Sequence, residues 1–456
     1  MTASKSFKTI FLTKNLRKIY VDRIQNTASR GLDRIFPGAL IKVLADELAL
    51  IERKVHAAEY RYTPYKEKLI SKGANEPPRL ISIPTARDRI VLRGICDLLT
   101  KTYPDAIPEI PQIKIEGLKE ALDSGQYCEF VRIDLQKFYP SIPHDKLIKT
   151  LKSRIRKPQI LTLIHGAITN PTVPESKGGK GAVKNLCGIP QGLSISNVLA
   201  EIFLKNFDKQ MREKSGIWYS RYVDDILVLC ESGQSKLIAE EACKCLETYG
   251  LKPHRLDTPG SKSKNGTLTD KFEFLGYQVN GGQISIRKPS IYKLEGALAK
   301  ICTAYRHKLL QAKKPEEADR AAQMCEWRLN LRITGCIFGG KRLGWMFYFS
   351  QVNETSCIRG VDNTVNRLIE RFSLTGKIRP KRLLKTYYES QRTEKSDHRY
   401  IPNFDDMEVD EQRRILGMML GEAKVKGLTD KRVKELFKMK ISSAVKELEE
   451  DLAGVY

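Results

Sequence analysis

Apolar residues recur three and four positions apart through about the first sixty residues, as at Leu40, Val43, Leu44, Leu48 and Ile51, and this spacing predicts helices with basic outer faces. Between Tyr60 and Pro84 the period shortens. YRYTPY and RLISIP read as strands, parted by KGANEPP, whose Gly, Asn and Pro residues mark a hairpin or loop. A helix is expected from about Arg87 to Leu99. CEFVRIDL is a strand-like run that closes on Asp134, and FYPSIPHDKLIKTLKSRI then turns into a helix. The Pro/Gly/Lys-rich stretch PTVPESKGGKGAVKNLC reads as a loop, and GIPQGLSISNVLAEIFLKNFDKQM takes helical spacing from Ile195. WYSRY and ILVLC are strands bracketing Tyr222 to Asp225, and another helix is expected over Gln234 to Tyr249.

Further along, KFEFLGYQV and QISIRK predict a hairpin around Asn280, Gly281 and Gly282. From Pro289 the pattern turns helical, with Ile291, Leu294, Leu298, Ile301, Tyr305 and Leu309 on one stripe. ITGCIFGGKRLGWMFYF interrupts it as a hairpin about Gly339 and Gly340. Thr393 to Pro402 is the one linker-like stretch. Two or three amphipathic helices are expected between Asp410 and Leu452, with Val433, Phe437, Ile441, Val445 and Leu448 as an apolar stripe. That stripe suits a packing or oligomer-contact bundle better than a helix-turn-helix.

Charge changes the picture more than length does. The chain has 456 residues, with 79 Lys and Arg against 54 Asp and Glu, a formal net charge of +25. A 41% hydrophobic and 29% charged composition belongs to a folded globular protein and excludes a disordered or collagen-like one. No apolar run is long enough to cross a membrane, and no apolar block follows the first methionine, so a cytoplasmic location and no membrane partner are expected. Ten scattered cysteines without a Cys-x-x-Cys pair read as reduced thiols rather than a zinc site. The basic surplus favours a polyanion, with nucleic acid first, because bound phosphate releases counterions.

Three aspartates stand out within this basic chain. Asp134 ends one strand, and Asp224 with Asp225 occupies the junction between two others. A structural two-residue hairpin favours Asn-Gly or Asp-Gly, whereas Tyr-Val-Asp-Asp sets a β-branched residue and two repelling carboxylates there. A solvated hairpin tip is the plainer alternative. Two divalent cations held by acidic side chains would offset the repulsion and would suit an in-line phosphoryl or nucleotidyl transfer. Oxygen ligands favour Mg²⁺, which shares its coordination with substrate phosphates.

These segments resemble the ordered motifs of bacterial reverse transcriptases of the group II intron and retron-like superfamily. FVRIDLQKFYPSI is similar to the first palm motif, GIPQGLSISNVLAEIFL to the second, SRYVDDILVL to the catalytic tetrapeptide motif and FEFLGYQV to the primer grip. KLISKGANEPPRLISIPTARDRIVLRGI resembles the fingers segment, so the likeness spans about residues 60 to 285. It implies an α+β right-hand polymerase: fingers and N-terminal helices over 1–127, a palm with an antiparallel sheet over 128–288, a helical thumb over 289–375 and a helical basic C-terminal extension over 376–456.

Carried onto this chain, the resemblance implies RNA-directed DNA synthesis with two Mg²⁺ ions, for which Mn²⁺ can substitute. It makes Asp134, Asp224 and Asp225 metal-binding and catalytic, with the Leu135 carbonyl as a further ligand. It puts Lys72 and Arg79 on the triphosphate, Tyr139 under the incoming sugar as a barrier to a 2′-hydroxyl, and Gln191 and Gly192 around the nucleotide and template base. Leu275, Gly276 and Tyr277 would position the primer. The lysine that protonates pyrophosphate has no clear match, since GLKPHRLDTPGSKSKN offers only Lys262 and Lys264.

The implied partners are an RNA template, a DNA product or primer and deoxynucleoside triphosphates, with a homo-oligomer or partner protein also open. Lys341 and Arg342, beside Trp345, Phe347 and Tyr348, are candidates for nucleic-acid contact, although those aromatics read better as core. Lys377, Arg379, Lys381, Arg382 and Lys385 form a basic cluster suited to a phosphate backbone. After residue 290 the sequence shows neither spaced carboxylates like those of a ribonuclease H nor a Cys/His cluster of an intron-type endonuclease, which leaves the defence-associated, abortive-infection type as the best resemblance and a dedicated noncoding RNA as the expected template. Two alternatives stay open: template-independent or protein-primed synthesis on the same fold, and a non-catalytic, maturase-like RNA-binding protein.

Overall fold

The computed structural model describes residues 2–71, 77–178, 181–256, 258–392 and 400–452. The chain forms two compact units, Met1–Glu109 with Tyr127–Gly266 and Ile110–Gln126 with Thr267–Tyr456.

Strands of the first unit run β1 (Tyr65–Ile70), β2 (Arg79–Ile83), β3 (Glu129–Asp134), β4 (Thr172–Val173), β5 (Ile217–Tyr222), β6 (Asp225–Cys230) and, at its boundary, β7 (Lys264–Thr267). Among the described residues they pair as a sheet ordered β2-β1-β4 and a sheet ordered β5-β6-β3-β7. In the second sheet β6 lies between β5 and β3 and is antiparallel to both. Ile226 to Cys230 are all buried, which explains their continuous apolar run: a central strand covered on both faces has no polar side to alternate with. β3 does alternate in part, with Val131 and Ile133 in the core and Arg132 and Asp134 on the other face.

The helix Ser196–Glu213 packs against β5 and against the helices Ala86–Thr102 and His144–Lys152. Its apolar stripe, Leu199, Ile202, Phe203 and Phe207, is buried, as the helical spacing requires. The expected helix from Arg87 begins one residue earlier. Thr85 caps it, accepting the Asp88 amide at 3.2 Å. YRYTPY, by contrast, is irregular as far as Pro64, and only Tyr65 enters a strand. Val43 is 51% exposed, because a 3₁₀ segment, Pro37–Val43, precedes the helix Leu44–His56 and shifts the apolar face.

In the second unit, β8 (Phe272–Phe274), β9 (Tyr277–Asn280) and β10 (Gln283–Ile286) form an antiparallel meander. KFEFLGYQV is therefore a hairpin in itself, folded at Leu275 and Gly276, rather than one strand; Gly281 and Gly282 make the expected second turn. Helices Lys288–Gln311 and Pro315–Thr334 pack on each other, and β11 (Cys336–Phe338) and β12 (Lys341–Leu343) close the hairpin at Gly339 and Gly340. Trp345, Phe347 and Tyr348 are buried, as core aromatics. Val433, Phe437, Ile441, Val445 and Leu448 of the helix Asp430–Leu452 are buried in a cluster with Leu331, Phe404 and Leu416, which makes the C-terminal stripe a packing face.

No described helix is long and apolar enough to span a membrane. All ten cysteines are free thiols.

Candidate active site

Tyr222 pairs with Asp225 across β5 and β6, so Val223 and Asp224 are the two residues of a tight hairpin turn. Val223 has φ +57°, a left-handed conformation that costs a β-branched residue about 1–3 kcal/mol. The strain is held by Arg221. Its guanidinium donates to the Val223 carbonyl at 2.8 Å while pairing with Asp208 at 2.6 Å and Glu201 at 2.7 Å. Burial alone would lower the Arg221 pKa, but Glu201 and Asp208 outweigh it and hold the group charged. Tyr219 adds a hydrogen bond to Asp208 at 2.7 Å. The Val223–Asp224 turn is thus clamped through Arg221 to the helix Ser196–Glu213.

Asp134 lies opposite Asp225 in the β3–β6 ladder, which brings the three sequence-distant aspartates to one end of one sheet. Burial, then the charges of Asp134 and Asp225, push the Asp224 pKa up to about 6. The third carboxylate is differently placed. Arg132, two residues before Asp134 on the same face of β3, forks onto both Asp225 oxygens at 2.8 and 3.0 Å. Asp225, expected as a metal ligand, is therefore engaged by a cation of the protein itself.

Asp134 has company that the motifs did not indicate. Its amide donates to the Ser263 hydroxyl at 3.1 Å, and His254 Nε2 stands 3.5 Å from its carboxylate. Lys262 and Lys264 flank that serine and are exposed. Leu135 bridges Pro253, with the ladder bonds made by Asp134 and Gln136, so the Leu135 carbonyl is turned away from residues 252–254.

Among the described residues, no group of three or more His, Cys, Asp or Glu side chains is placed to hold a metal by itself. What fits is a shared site. Mg²⁺ commonly takes one or two carboxylates and completes its shell with water and substrate phosphates, and Asp134 with the charge-starved Asp224 supplies that pair.

Tyr139 follows Asp134 in the short helix Phe138–Ser141, half-buried against the core. Its phenol donates to Asn197 Oδ1 at 2.8 Å. Burial, then the negative charges of Asp224 and Glu201, raise its pKa well above the ordinary phenol value, so it stays protonated. Arg79, at the exposed start of β2, lowers the pKa of both Tyr139 and Asp224, which places its charge beside both. Lys72 lies outside the described residues.

The Gln191–Gly192 loop is stitched to both neighbours. Ile189 N–H donates to the Tyr139 carbonyl at 2.8 Å, and Ser82 N–H of β2 donates to the Gln191 carbonyl at 2.7 Å. Gly192 has φ +95°, and a Cβ there would sit 2.7 Å from Ile81 Cγ2. Its glycine is required by the approach to β2.

The second unit holds the remaining candidates. Leu275, with φ +49°, and Gly276, with φ +80°, form the β8–β9 turn. Leu275, Gly276 and Tyr277 are all buried, Tyr277 donating to the Tyr348 carbonyl at 2.5 Å, while the Leu275 carbonyl accepts the Tyr348 hydroxyl at 3.0 Å and the Gly276 carbonyl the Arg287 amide at 3.2 Å, so this turn is engaged inside its own unit. Lys341 is exposed; Arg342 is half-buried, 5.9 Å above the Phe347 ring. Lys377, Arg379 and Arg382 are exposed, but Lys381 donates to the Tyr400 carbonyl at 2.5 Å and belongs to internal packing.

Arg132, His254, Arg221 and Asn197 were not singled out from sequence. Strand alternation could have found Arg132, on the face of Asp134. Nothing in the local pattern marks His254, which arrives in the short segment that follows the helix Ser235–Thr248.

Residues 70–279 match the family model "Reverse transcriptase (RNA-dependent DNA polymerase)". Curated relatives include an uncharacterised 91 kDa protein in the cob intron of Schizosaccharomyces pombe, 25% identical over 211 residues, covering 44% of this chain and 25% of that protein. Protein YkfC of Escherichia coli is 25% identical over 309 residues, covering 58% of this chain and 77% of that one. Among solved structures, a telomerase from Candida albicans in complex with a fragment of telomeric RNA aligns at TM-score 0.44 and 14% identity, covering 86% of this chain and 69% of that one. The putative COX1/OXI3 intron 2 protein of Saccharomyces cerevisiae is 24% identical over 173 residues, and the chain spans a quarter of the length of the cob intron protein and a fifth of this one. Asp134, Asp224 and Asp225 all lie within the stretch that is similar to this family.

Proposed function

We propose that this chain is an RNA-directed DNA polymerase of right-hand fold that uses the two-metal mechanism with Mg²⁺, Mn²⁺ serving as a substitute. The observation that carries the reading is the convergence of Asp134 and Asp224 at one end of the β5-β6-β3-β7 sheet, with Tyr139 and Arg79 close enough to shift the titration of Asp224 or be shifted by it. Bound divalent ions would lower the pKa of an attacking 3′-hydroxyl and neutralise the leaving pyrophosphate. The chain's own part is positional. Asp134 and Asp224 receive the charge, Arg79 with Lys72 binds the triphosphate, and Tyr139 fills the space a 2′-hydroxyl needs. Asp225, held by Arg132, fixes the sheet end on which Asp224 is carried.

On this reading residues 1–127 serve as fingers, 128–288 as palm, 289–375 as thumb and 376–456 as the basic extension. Leu135 lends its carbonyl to a metal, Gln191 and Gly192 frame the nucleotide, and the hairpin folded at Leu275, Gly276 and Tyr277 positions the primer. Exposed Lys341, Lys377, Arg379 and Arg382 meet phosphate. For the setting we propose a cytoplasmic enzyme copying a dedicated noncoding RNA in bacterial antiphage defence, supported by the resemblance of the motifs and the helical C-terminal region.

Primer extension on an RNA template tests the activity. The unaltered protein with Mg²⁺ should incorporate deoxynucleotides, and Asp224→Ala should lower the rate at least a thousandfold while RNA binding persists. Incorporation retained by Asp224→Ala would overturn the assignment. A product that stays on the protein after nuclease and denaturant would identify a side-chain hydroxyl as primer.

A further inference from the structure

Asn197 lies within the GIPQGLSISNVLAEIFL segment at a position to which the polymerase reading gives no role, yet it is the hydrogen-bond partner of the Tyr139 phenol, at 2.8 Å. It is exposed in the first turn of the helix Ser196–Glu213, one turn before Glu201 and on the same face. Glu201 and Asp208, farther along that face, grip Arg221, which in turn holds the Val223 carbonyl. One helix face therefore touches both the ring under the proposed sugar position and the turn that carries Asp224. Tyr139 is pinned at its backbone end as well, where its carbonyl accepts the Ile189 amide at 2.8 Å. The phenol end has Asn197, without which the ring is free to rotate about its side-chain torsions toward other staggered positions.

We propose that Asn197 is a specificity-determining positioning residue, which fixes the Tyr139 ring where it excludes a ribose 2′-hydroxyl and thereby sets the deoxynucleotide preference. The inference rests on the polymerase reading and goes beyond it, because it assigns sugar selection to a residue that need not touch the nucleotide. In this bond the phenol is the donor and the Asn197 amide oxygen the acceptor.

The test is single-nucleotide incorporation by the full chain, comparing kcat/KM for a deoxynucleoside triphosphate with that for the matching ribonucleotide. Asn197→Ala and Tyr139→Phe should each lower the preference for the deoxy sugar about five- to tenfold, the scale of one net hydrogen bond. The change should appear chiefly as a lower KM for the ribonucleotide. The double variant should lower it no further than either single one, since both remove the same bond. Asn197→Asp, which keeps the acceptor, should hold the preference near its original value. The proposal is overturned if Asn197→Ala leaves the ratio within twofold, if the two substitutions add as independent sites, or if Asn197→Asp behaves as Asn197→Ala does. A parent protein that incorporates no nucleotide at all overturns the polymerase reading and this inference with it. A parent that discriminates strongly while Asn197→Ala does the same overturns the role of Asn197 alone.

Discussion

Asp224 is the residue on which burial and like charge fall together, and the cost is measurable. An aspartate in an unfolded chain titrates near about 3.9, whereas in the folded, metal-free protein Asp224 is pushed up to about 6. Below about pH 4 the carboxyl is protonated in both states and the penalty vanishes. Between about pH 4 and 6 the unfolded chain releases a proton that the folded state keeps, so stability falls across that window and levels off above it. Asp224→Asn is therefore expected to stabilise the metal-free protein at pH 7.5 by up to about 3 kcal/mol and to have almost no effect at about pH 3, measured by urea unfolding with a chelator present. Adding Mg²⁺ should narrow the difference by stabilising only the parent. The Tyr-Val-Asp-Asp junction exposed this tension in the sequence, because nothing structural recommends two carboxylates in a tight turn. Arg132 was harder to see. The pairing of Asp134 with Asp225 across 91 residues had to be known before an arginine two positions away became their neighbour.

At the scale of elements, the β5–β6 hairpin and the helix Ser196–Glu213 form one mechanical piece through Arg221. Replacing it with Met leaves Asp208 and Glu201 as uncompensated buried or half-buried carboxylates, a change of about 3–5 kcal/mol. Arg221→Met is expected to lower the unfolding free energy by that amount, and Arg221→Lys to recover only part, since one ammonium cannot reach two carboxylates and the Val223 carbonyl in fork geometry. Thermal and urea unfolding of the two variants would check this; equal stability to the parent would remove the clamp from the account. Most of these elements were legible as periodicity: β3, β5, β6 and the helix from Ile195 all follow their patterns. The failures have physical causes. KFEFLGYQV looks like one strand because Leu275 is apolar, but it sits at φ +49° in a turn, buried by the surrounding aromatics. YRYTPY has strand-forming residues whose rings pack on the core without a ladder partner until Tyr65.

For the whole molecule, the net charge of +25 becomes a statement about particular surfaces once the engaged cations are set aside. Arg221 and Arg132 serve the sheet end, and Lys381 serves the packing around Tyr400. Lys377, Arg379 and Arg382 remain exposed. Changing these three to Gln together should lower the slope of log affinity for single-stranded RNA against log salt by about 2, at roughly 0.7 per lost phosphate contact. Lys381→Gln should leave the slope unchanged. Filter binding between low and physiological salt measures both, and a slope unmoved by the triple change would remove this cluster from the RNA-contacting surface.

Gly192 carries a consequence for motion. Its missing side chain lets the Gln191 loop press on Ile81, and the Ser82 amide is bonded to the Gln191 carbonyl, so strand and loop share one boundary with no slack. The loop is bonded in turn to Tyr139 through Ile189. A rotation of the β1–β2 hairpin cannot be absorbed at that boundary. Movement of Arg79 with that hairpin would be passed to Gln191 and, through Ile189, to the Tyr139 backbone.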